Sequence, residues 1–521
     1  RGRSRGRRCA RAPLAFRAKS RNLPRKRAAA RFFFNSPPAH GPMAEKDLTQ
    51  GPVPGLVVKL ALPVFAAFVL QSMFSLADLY FVGRLGPTPQ AALGIGLNTF
   101  MILLALGQTV GIGALALMSQ AYGAGQRSRV TRVFAHSLLL VAVIGTVFWI
   151  GGFFAAEYYF ALFSGDGAVQ KEGVAFFRVY AATFLFQLFL MVAGYGWRAV
   201  GDFITPTALM VAGVLLNLAL DPLLIFGPGP LPALGLAGAA WATVISQVLV
   251  AAVYLWLIFG RGGGRLLSLR PAGLPRIDWA LVGRMLRIGI PSGLQFIVFA
   301  AIVLAGYRFL RPFGAEAIAA VTIGSRLVHA VLMPAIAIGA AVASIVGQSF
   351  GGGKFGRVRQ AVGWGSLYAA ALLLAVYAAF RADAGFWVGL FAGEPAIVAI
   401  GAQYLLILGW VLPVEAITWV VIFALQGLGR TLPPLAAVSV RFPFYLATLW
   451  TLEFAGRLTL PAMFWSAALT LFLQTAIVVA FLAHLWRGVL GGAPGVDGAS
   501  AGPDGARQGH GAAAGALQMN D

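Results

Sequence analysis

The sequence has few residues that carry charge. Charged residues make up 11% of its 521 positions, and only 17 residues are Asp or Glu. An ordinary soluble domain has about 25% charged residues. Because 59% of the chain is hydrophobic, it has too few polar side chains to cover a surface in water. We therefore expect an all-α polytopic membrane protein with lipid around most of its surface.

Cysteine and histidine are also scarce. The single cysteine, Cys9, excludes an intrachain disulfide and a cysteine metal site. The five histidines have no metal-ligand spacing; they lie at positions 40, 136, 329, 484 and 510. We therefore expect no cofactor, no resident metal and no catalytic group of these kinds.

The net charge of +23 resembles that of a nucleic-acid-binding protein, but its distribution argues against such a partner. Residues 1–42 hold 13 of the 40 basic residues and no acid. This leader is either translated upstream sequence from an over-extended start site or an Arg-rich organelle transit peptide. Residues 43–55 are then a cytoplasmic N-terminal segment. The Gly- and Ala-rich residues 488–521 are predicted to form a disordered tail.

The apolar runs are long enough for about a dozen membrane-spanning helices, each needing about 20 residues. We predict twelve spans, at 56–82, 90–119, 132–156, 174–195, 204–226, 235–260, 281–306, 316–347, 360–381, 398–425, 432–454 and 461–486.

The two halves of the chain align at one offset of 228 residues. Pro63 falls on Pro291, and the segment QAYGAG at 120–125 falls on QSFGGG at 348–353. RAVGDFITP at 198–206 likewise falls on QGLGRTLPP. This parallel repeat predicts two six-helix lobes, residues 56–260 and 281–487, joined by a linker at 261–280. Transporters built from such repeats place the substrate path between the repeats, near the midplane.

Basic residues in the loops indicate the orientation. The even-numbered loops and their flanks hold fourteen Lys and Arg, against seven in the odd-numbered ones. We therefore expect both termini and the inter-lobe linker in the cytoplasm. A bacterial inner membrane is the expected location, or an organelle membrane if residues 1–42 are a transit peptide.

Two carboxylates interrupt apolar spans of the first lobe. Asp221 lies four residues after Asn217, so both share one helical face, and Asp78 lies in the outer part of the first span. An ionisable group inside the membrane marks an ion or proton pathway unless it has a structural partner. The repeat counterparts of the two acids are Gly306 and Leu449, so only the first lobe has this pair. The alternatives are that Asp78 reaches the surface and that Asp221 caps a helix end.

Several other residues are candidates for a role around this pair. Gln71 and Phe74 share a face with Asp78 and either line a substrate cavity or simply pack, while Pro63 is a candidate hinge. In the second lobe, Glu415 and Arg441 are intramembrane charges. They are either a structural pair or a secondary functional site.

These landmarks resemble the multidrug and toxic compound extrusion (MATE) family, and the first-lobe pattern looks like its DinF-like prokaryotic branch. The resemblance covers about residues 56–486. It rests on DLYFVGRLG at 78–86, AALGIG at 91–96, QAYGAG, RAVGDFITP and NLALDP at 217–222, with echoes in the second half.

The resemblance implies a twelve-helix antiporter that expels cationic or amphipathic compounds against H+ or Na+. It also implies a cation site at Asp78, Asn217, Asp221 and, as the nearest match in the sixth span, Thr243. Either ion could bind there. The partners expected are small-molecule drugs and the lipid bilayer, with no nucleic acid, and the protein is expected to be a monomer. The alternatives are a flippase for a lipid-linked sugar and, in another class, an intramembrane prenyl transferase.

Overall fold

The fold is described from a computed structural model. It describes residues 46–227, 232–260, 267 and 277–488, without the side chains of residues 74–79 and 488. The predicted basic leader, the predicted tail beyond residue 488 and most of the predicted inter-lobe linker lie outside the described residues.

Fifteen α-helices make up the described part of the chain. They are α1 Val53–Gly83, α2 Pro87–Leu97, α3 Phe100–Gly123, α4 Arg127–Phe163, α5 Gly167–Tyr180, α6 Thr183–Ala199, α7 Ile204–Phe226, α8 Leu236–Phe259, α9 Trp279–Leu310, α10 Gly314–Gly351, α11 Phe355–Ala382, α12 Ala384–Gly389, α13 Pro395–Gly427, α14 Leu432–Phe454 and α15 Leu460–Gly488.

These helices account for the twelve predicted spans. Ten runs of described residues are long and apolar enough to cross a membrane, and α5 with α6, bent by 41°, form an eleventh. The longest run, Trp279–Gly351, contains two helices, α9 and α10, which brings the number to twelve. The prediction of an all-α membrane protein is therefore confirmed.

Two spans predicted as single helices are interrupted. The second span consists of α2 and α3, which are separated at Asn98 and Thr99. The Thr99 hydroxyl donates to the Gly96 carbonyl at 2.7 Å, and the backbone N–H groups of both residues make short turn bonds. The fourth span consists of α5 and α6, with a bend at Ala181 and Ala182. In both cases the run as a whole is apolar enough to cross a membrane, so average hydrophobicity does not reveal the break.

The internal repeat is visible in the backbone. Three pairs of glycines separated by 228 residues share positive φ angles: Gly86 and Gly314, Gly125 and Gly353, and Gly201 and Gly429. Each pair ends or connects equivalent helices, where only glycine adopts this conformation at low cost. The GAG and GGG segments are therefore tight helix–helix turns.

The first helix of each lobe also packs against the other lobe. Helix α1 contacts α7 in its own lobe and α10 in the second lobe, while α9 contacts α14 in its own lobe and α3 in the first. The α3–α9 crossing is close because Gly289 and Gly293 lie directly against the backbone of Ala105 and Thr109. The two lobes are thus joined by exchanged contacts of equivalent helices.

Candidate functional site

The centre of the candidate site is the polar pair on α7. Asp221 is completely buried and Asn217 is 5% exposed. The Asn217 side-chain amide donates to Asp221 Oδ1 at 3.4 Å. A carboxylate in this position has left water, so it needs a hydrogen-bonding partner, a proton or a cation.

Asp78 lies on α1, which packs against α7, but its side chain lies outside the described residues. The two helices meet near their C-terminal ends, where the rings of Phe81 and Phe226 are 6.4 Å apart. At about 1.5 Å per residue, Asp78 is about 4.5 Å below this contact along α1 and Asp221 about 7.5 Å below it along α7. The two acidic residues are therefore at similar depth on neighbouring helices.

The equivalent positions of the second lobe carry no acidic residue. A Cβ atom on Gly306, the counterpart of Asp78, would lie 3.4 Å from the hydroxyl of Tyr445, the counterpart of Asn217. The counterpart of Asp221, Leu449, is fully buried. The second lobe therefore has no acidic residue at any of these three positions.

The remaining predicted residues lie on α8 and α1. Thr243, on α8, donates its hydroxyl to the Ala239 carbonyl of its own helix at 3.0 Å. Gln71 is exposed on α1 and has a polar interaction, whereas the side chain of Phe74 lies outside the described residues. Pro63 is inside α1, which continues through it as a helix. These assignments remain predictions.

The structure adds two features that the sequence did not predict, both at the end of the bundle where α1 begins. The first is an inter-lobe clasp, by which we mean Gln120, Gln348 and the carbonyls they bind. Gln120 Nε2 donates to the Gly427 carbonyl at 3.0 Å, and Gln348 Nε2 donates to the Ala199 carbonyl at 2.8 Å. Donors and acceptors are each 228 residues apart, so the two bonds are related by the repeat.

Small residues make the clasp possible. A Cβ atom on Gly123 would overlap the backbone of Gln348, and one on Gly351 would overlap that of Gln120. Helices α3 and α10 therefore cross here at backbone contact. The clasp therefore joins the two lobes at this end of the bundle.

The second feature is an N-terminal strap, residues 46–51, which lies across the same end. Gln348 Oε1 accepts from the Leu48 backbone N–H at 2.9 Å, so one buried side chain holds both the strap and α6. Lys354 Nζ donates to the Thr49 carbonyl at 2.9 Å. Arg357 donates to the carbonyls of Leu48, Gln50 and Gly51 at 2.7 to 3.1 Å.

Asp47 orders the strap internally. Its carboxylate accepts from the Thr49 backbone N–H and from the Gln50 side chain, each at 2.8 Å. Burial alone would raise the pKa of Asp47, but these hydrogen bonds and the charge of Lys354 outweigh it, and the pKa lies below its usual value.

The two-lobed helical bundle and its internal repeat have the architecture of a membrane transporter. The MatE family model matches the chain twice, at residues 63–223 and 291–451. The two matches are themselves 228 residues apart and together cover more than half of the chain. The protein belongs to the MatE family, whose members are transporters rather than enzymes, and the resemblance to that family is confirmed.

Three curated relatives are similar over much of the chain. A probable multidrug resistance protein of Bacillus subtilis is 30% identical over 58% of this chain and 65% of its own length. The probable multidrug resistance protein NorM of Thermotoga maritima is 28% identical over 73% and 81%. An FAD transporter of Shewanella oneidensis is 26% identical over 60% and 69%.

The fold is also found among solved structures. A transporter of the MOP superfamily from Pyrococcus furiosus aligns with a TM-score of 0.77 at 23% identity, covering 85% of this chain and 97% of the other. At this identity the similarity supports the two-lobed fold.

Proposed function

We propose that this protein is a multidrug exporter that moves cationic or amphipathic small molecules out of the cytoplasm in exchange for a small cation. The observation that carries the proposal is the buried Asn217–Asp221 pair in the first lobe, whose counterparts Tyr445 and Leu449 carry no carboxylate. A duplicated scaffold does not need this pair for packing, since the second lobe folds without it. The names of relatives such as NorM favour drugs as cargo.

The coupling ion binds, in this proposal, at Asp78, Asn217 and Asp221. Two carboxylates at similar depth in a medium of low dielectric repel each other, and uptake of a cation relieves the repulsion. The Asn217 side-chain amide donates a hydrogen bond to Asp221 Oδ1. The carboxylates suit either H+ or Na+, and the transport assay described below distinguishes the two ions.

We propose that binding of the cation alternates with binding of the transported compound. Uptake from outside releases substrate outward, and loss of the cation towards the cytoplasm resets the carrier. Pro63 removes one backbone hydrogen bond from α1, so α1 can bend there in response. The basic loops support cytoplasmic termini, and this orientation makes the clasp the cytoplasmic gate.

The test is ethidium transport in proteoliposomes under an imposed pH gradient and, separately, an imposed Na+ gradient. Asp221→Asn is expected to reduce gradient-driven transport to that of protein-free liposomes. Glu172→Gln, which changes an exposed acid of the same lobe, is the matched control and is expected to transport normally. Undiminished transport by Asp221→Asn would disprove the proposal, and a response to Na+ alone would identify Na+ as the ion.

The hinge is tested in the same assay. Pro63→Ala is expected to slow transport, whereas Pro291→Ala, its counterpart in the lobe without the acidic pair, is expected to slow it less. Equal effects would mean that both prolines are features of the shared scaffold.

A further inference from the structure

Helices α4 and α9 meet near their starts, at the end of the bundle where α1 begins. The two helices are in contact, and the Asp278 backbone N–H, at the start of α9, donates to His136 Nε2 on α4 at 2.9 Å. The Nδ1 atom of the same ring donates to the Arg132 carbonyl at 2.8 Å. Since α4 belongs to the first lobe and α9 to the second, this junction joins the two lobes.

One face of α4 is basic at its start and apolar beyond. Arg129 and Arg132 are three residues apart, so they lie on one helical face, and Arg132 is exposed. Leu139, Val143 and Val147 continue along that face and are also exposed. Exposed apolar side chains of a membrane helix face the acyl chains, so the two arginines lie where this face reaches the lipid headgroups.

Helix α9 has the same arrangement. Arg284 and Arg287 are exposed near its start, and Ile290, Leu294 and Ile297 are exposed further along the helix. The spacing from Arg287 to Ile297 keeps these side chains on one helical face. Each of the two neighbouring helices therefore presents basic groups followed by apolar ones, in the order of a phospholipid's headgroup and tails.

The positive charge at this junction is not balanced by acidic side chains. Arg129 is close enough to Arg132 and Arg284 for the three like charges to repel. Among the described residues, no ion pair joins these arginines to an acid. The carboxylate of Asp278 caps the start of α9, and residues 261–277 add four arginines and no acid. An anion from outside the chain would relieve this repulsion.

The equivalent junction, of α11 with α1, lacks this excess charge. Gln360 and Leu56, which carry no charge, replace Arg132 and Arg284. The counterpart of the third arginine is Arg357, whose guanidinium donates to three carbonyls of the strap. The cluster of arginines is therefore a property of the α4–α9 junction and not of the repeated scaffold.

We propose that the starts of α4 and α9 form a binding site for an anionic phospholipid. Arg129, Arg132 and Arg284 hold its phosphate, and its acyl chains lie along the exposed apolar faces of the two helices. Guanidinium groups bind phosphate oxygens through paired hydrogen bonds, and basic pockets between membrane helices bind anionic headgroups. Because one helix comes from each lobe, a bound lipid joins the lobes at this end of the bundle.

The experiment is a titration of the purified full-length protein, in an uncharged detergent, with phosphatidylglycerol. Native mass spectrometry separates protein with and without bound lipid. Phosphatidylglycerol is expected to bind at concentrations at which phosphatidylcholine, whose headgroup has no net charge, does not. In Arg132→Gln/Arg284→Gln the affinity is expected to fall about 30-fold, since each basic group near an anionic lipid contributes about 1 kcal/mol. Arg132→Lys/Arg284→Lys keeps both charges and is expected to retain most of the affinity.

The matched control is Lys59→Gln/Arg359→Gln. It also removes two exposed positive charges at this end of the bundle, from the equivalent helices α1 and α11. This variant is expected to bind phosphatidylglycerol like the wild type. Equal losses of affinity in the two Gln double variants would mean that the lipid responds only to the overall charge, and would overturn the proposal. Equal binding of the two lipids by the wild type would also overturn it.

Inorganic phosphate distinguishes a lipid from free phosphate, because both present the same charged group. An excess of inorganic phosphate is expected to leave phosphatidylglycerol bound, since free phosphate makes no contact with the apolar faces. Its displacement of the lipid would assign the arginines to free phosphate and overturn the proposal. Size-exclusion profiles and melting temperatures establish that each variant is folded. The titration needs no ion gradient and no transported compound, so its result is independent of the proposed transport function.

Discussion

Disrupting the clasp should open the end of the bundle where α1 begins. Gln348→Ala removes two hydrogen bonds. One is accepted by the side-chain oxygen from the Leu48 backbone N–H, and the other is donated by the side-chain nitrogen to the Ala199 carbonyl. At about 1 kcal/mol of net stabilisation per bond, the closed arrangement loses about 2 kcal/mol, which is about a 30-fold change in the ratio of open to closed molecules. Gln120→Ala removes the hydrogen bond to the Gly427 carbonyl, so a loss of about 1 kcal/mol and about a fivefold change in the same ratio are expected.

Alkylation of a cysteine behind the clasp measures this ratio. Ser119 is fully buried and its side chain lies against Gly347 of α10, so S119C introduces a thiol that reacts only when the lobes separate here. The native thiol, Cys9, is removed by C9S. Labelling with a water-soluble maleimide should be about 30-fold faster with Q348A and about fivefold faster with Q120A, if labelling follows the open population.

The matched control is Gln247→Ala. It removes one glutamine hydrogen bond, to Gln187, inside the first lobe and away from the lobe–lobe contact. Labelling in this variant should remain at the rate of the parent. If Gln247→Ala and Gln348→Ala accelerated labelling equally, the clasp would not be what holds this end closed.

Two further predictions concern the same end of the bundle. Gly351→Ala should prevent closure and abolish transport, because its Cβ would overlap the backbone of Gln120; Gly356→Ala, where nothing lies within 4 Å of the new Cβ, should transport normally. Asp47 has a lowered pKa, so its contribution to holding the strap is present at neutral pH and is lost only as the pH falls through that lowered value. Limited proteolysis of the strap should therefore accelerate in acid, and the Asp47→Asn variant should show no such acceleration.

Much of the fold could be predicted because its signals are local or periodic. Apolar runs of about 20 residues locate membrane helices, and glycines in turns, such as Gly201 and Gly429, preserve the repeat because their φ angles of 87° and 73° disfavour other residues. The four-residue spacing of Asn217 and Asp221 predicted that both side chains lie on one face of a helix. The break at Asn98 and Thr99 was not predicted, because two polar residues do not stop the run Pro87–Gly123 from being apolar enough for one span.

The clasp and the strap depend on contacts between distant parts of the chain. Gln120 and Gln348 stood out in the sequence only as matching landmarks, although their bonds join residues 307 and 149 positions apart. A glutamine kept at equivalent positions in two apolar helices was the available signal. Its partners are backbone carbonyls, which have no signature in the sequence, so the acceptor could be found only from the structure.

The clasp follows the internal repeat, whereas the buried acids occur in the first lobe alone, and helix α1 extends between these two regions. The clasp obeys the repeat, so both lobes contribute equivalent contacts to closure, whereas the acidic pair occurs in one lobe. Helix α1 begins directly after the strap, carries Asp78 near its other end and packs against both α7 and α10. With 31 residues it is about 46 Å long, enough to connect the two ends of the bundle. Its counterpart α9 has Gly306 in place of the acid, so we propose that a bend in α1 is the route by which cation binding reaches the clasp.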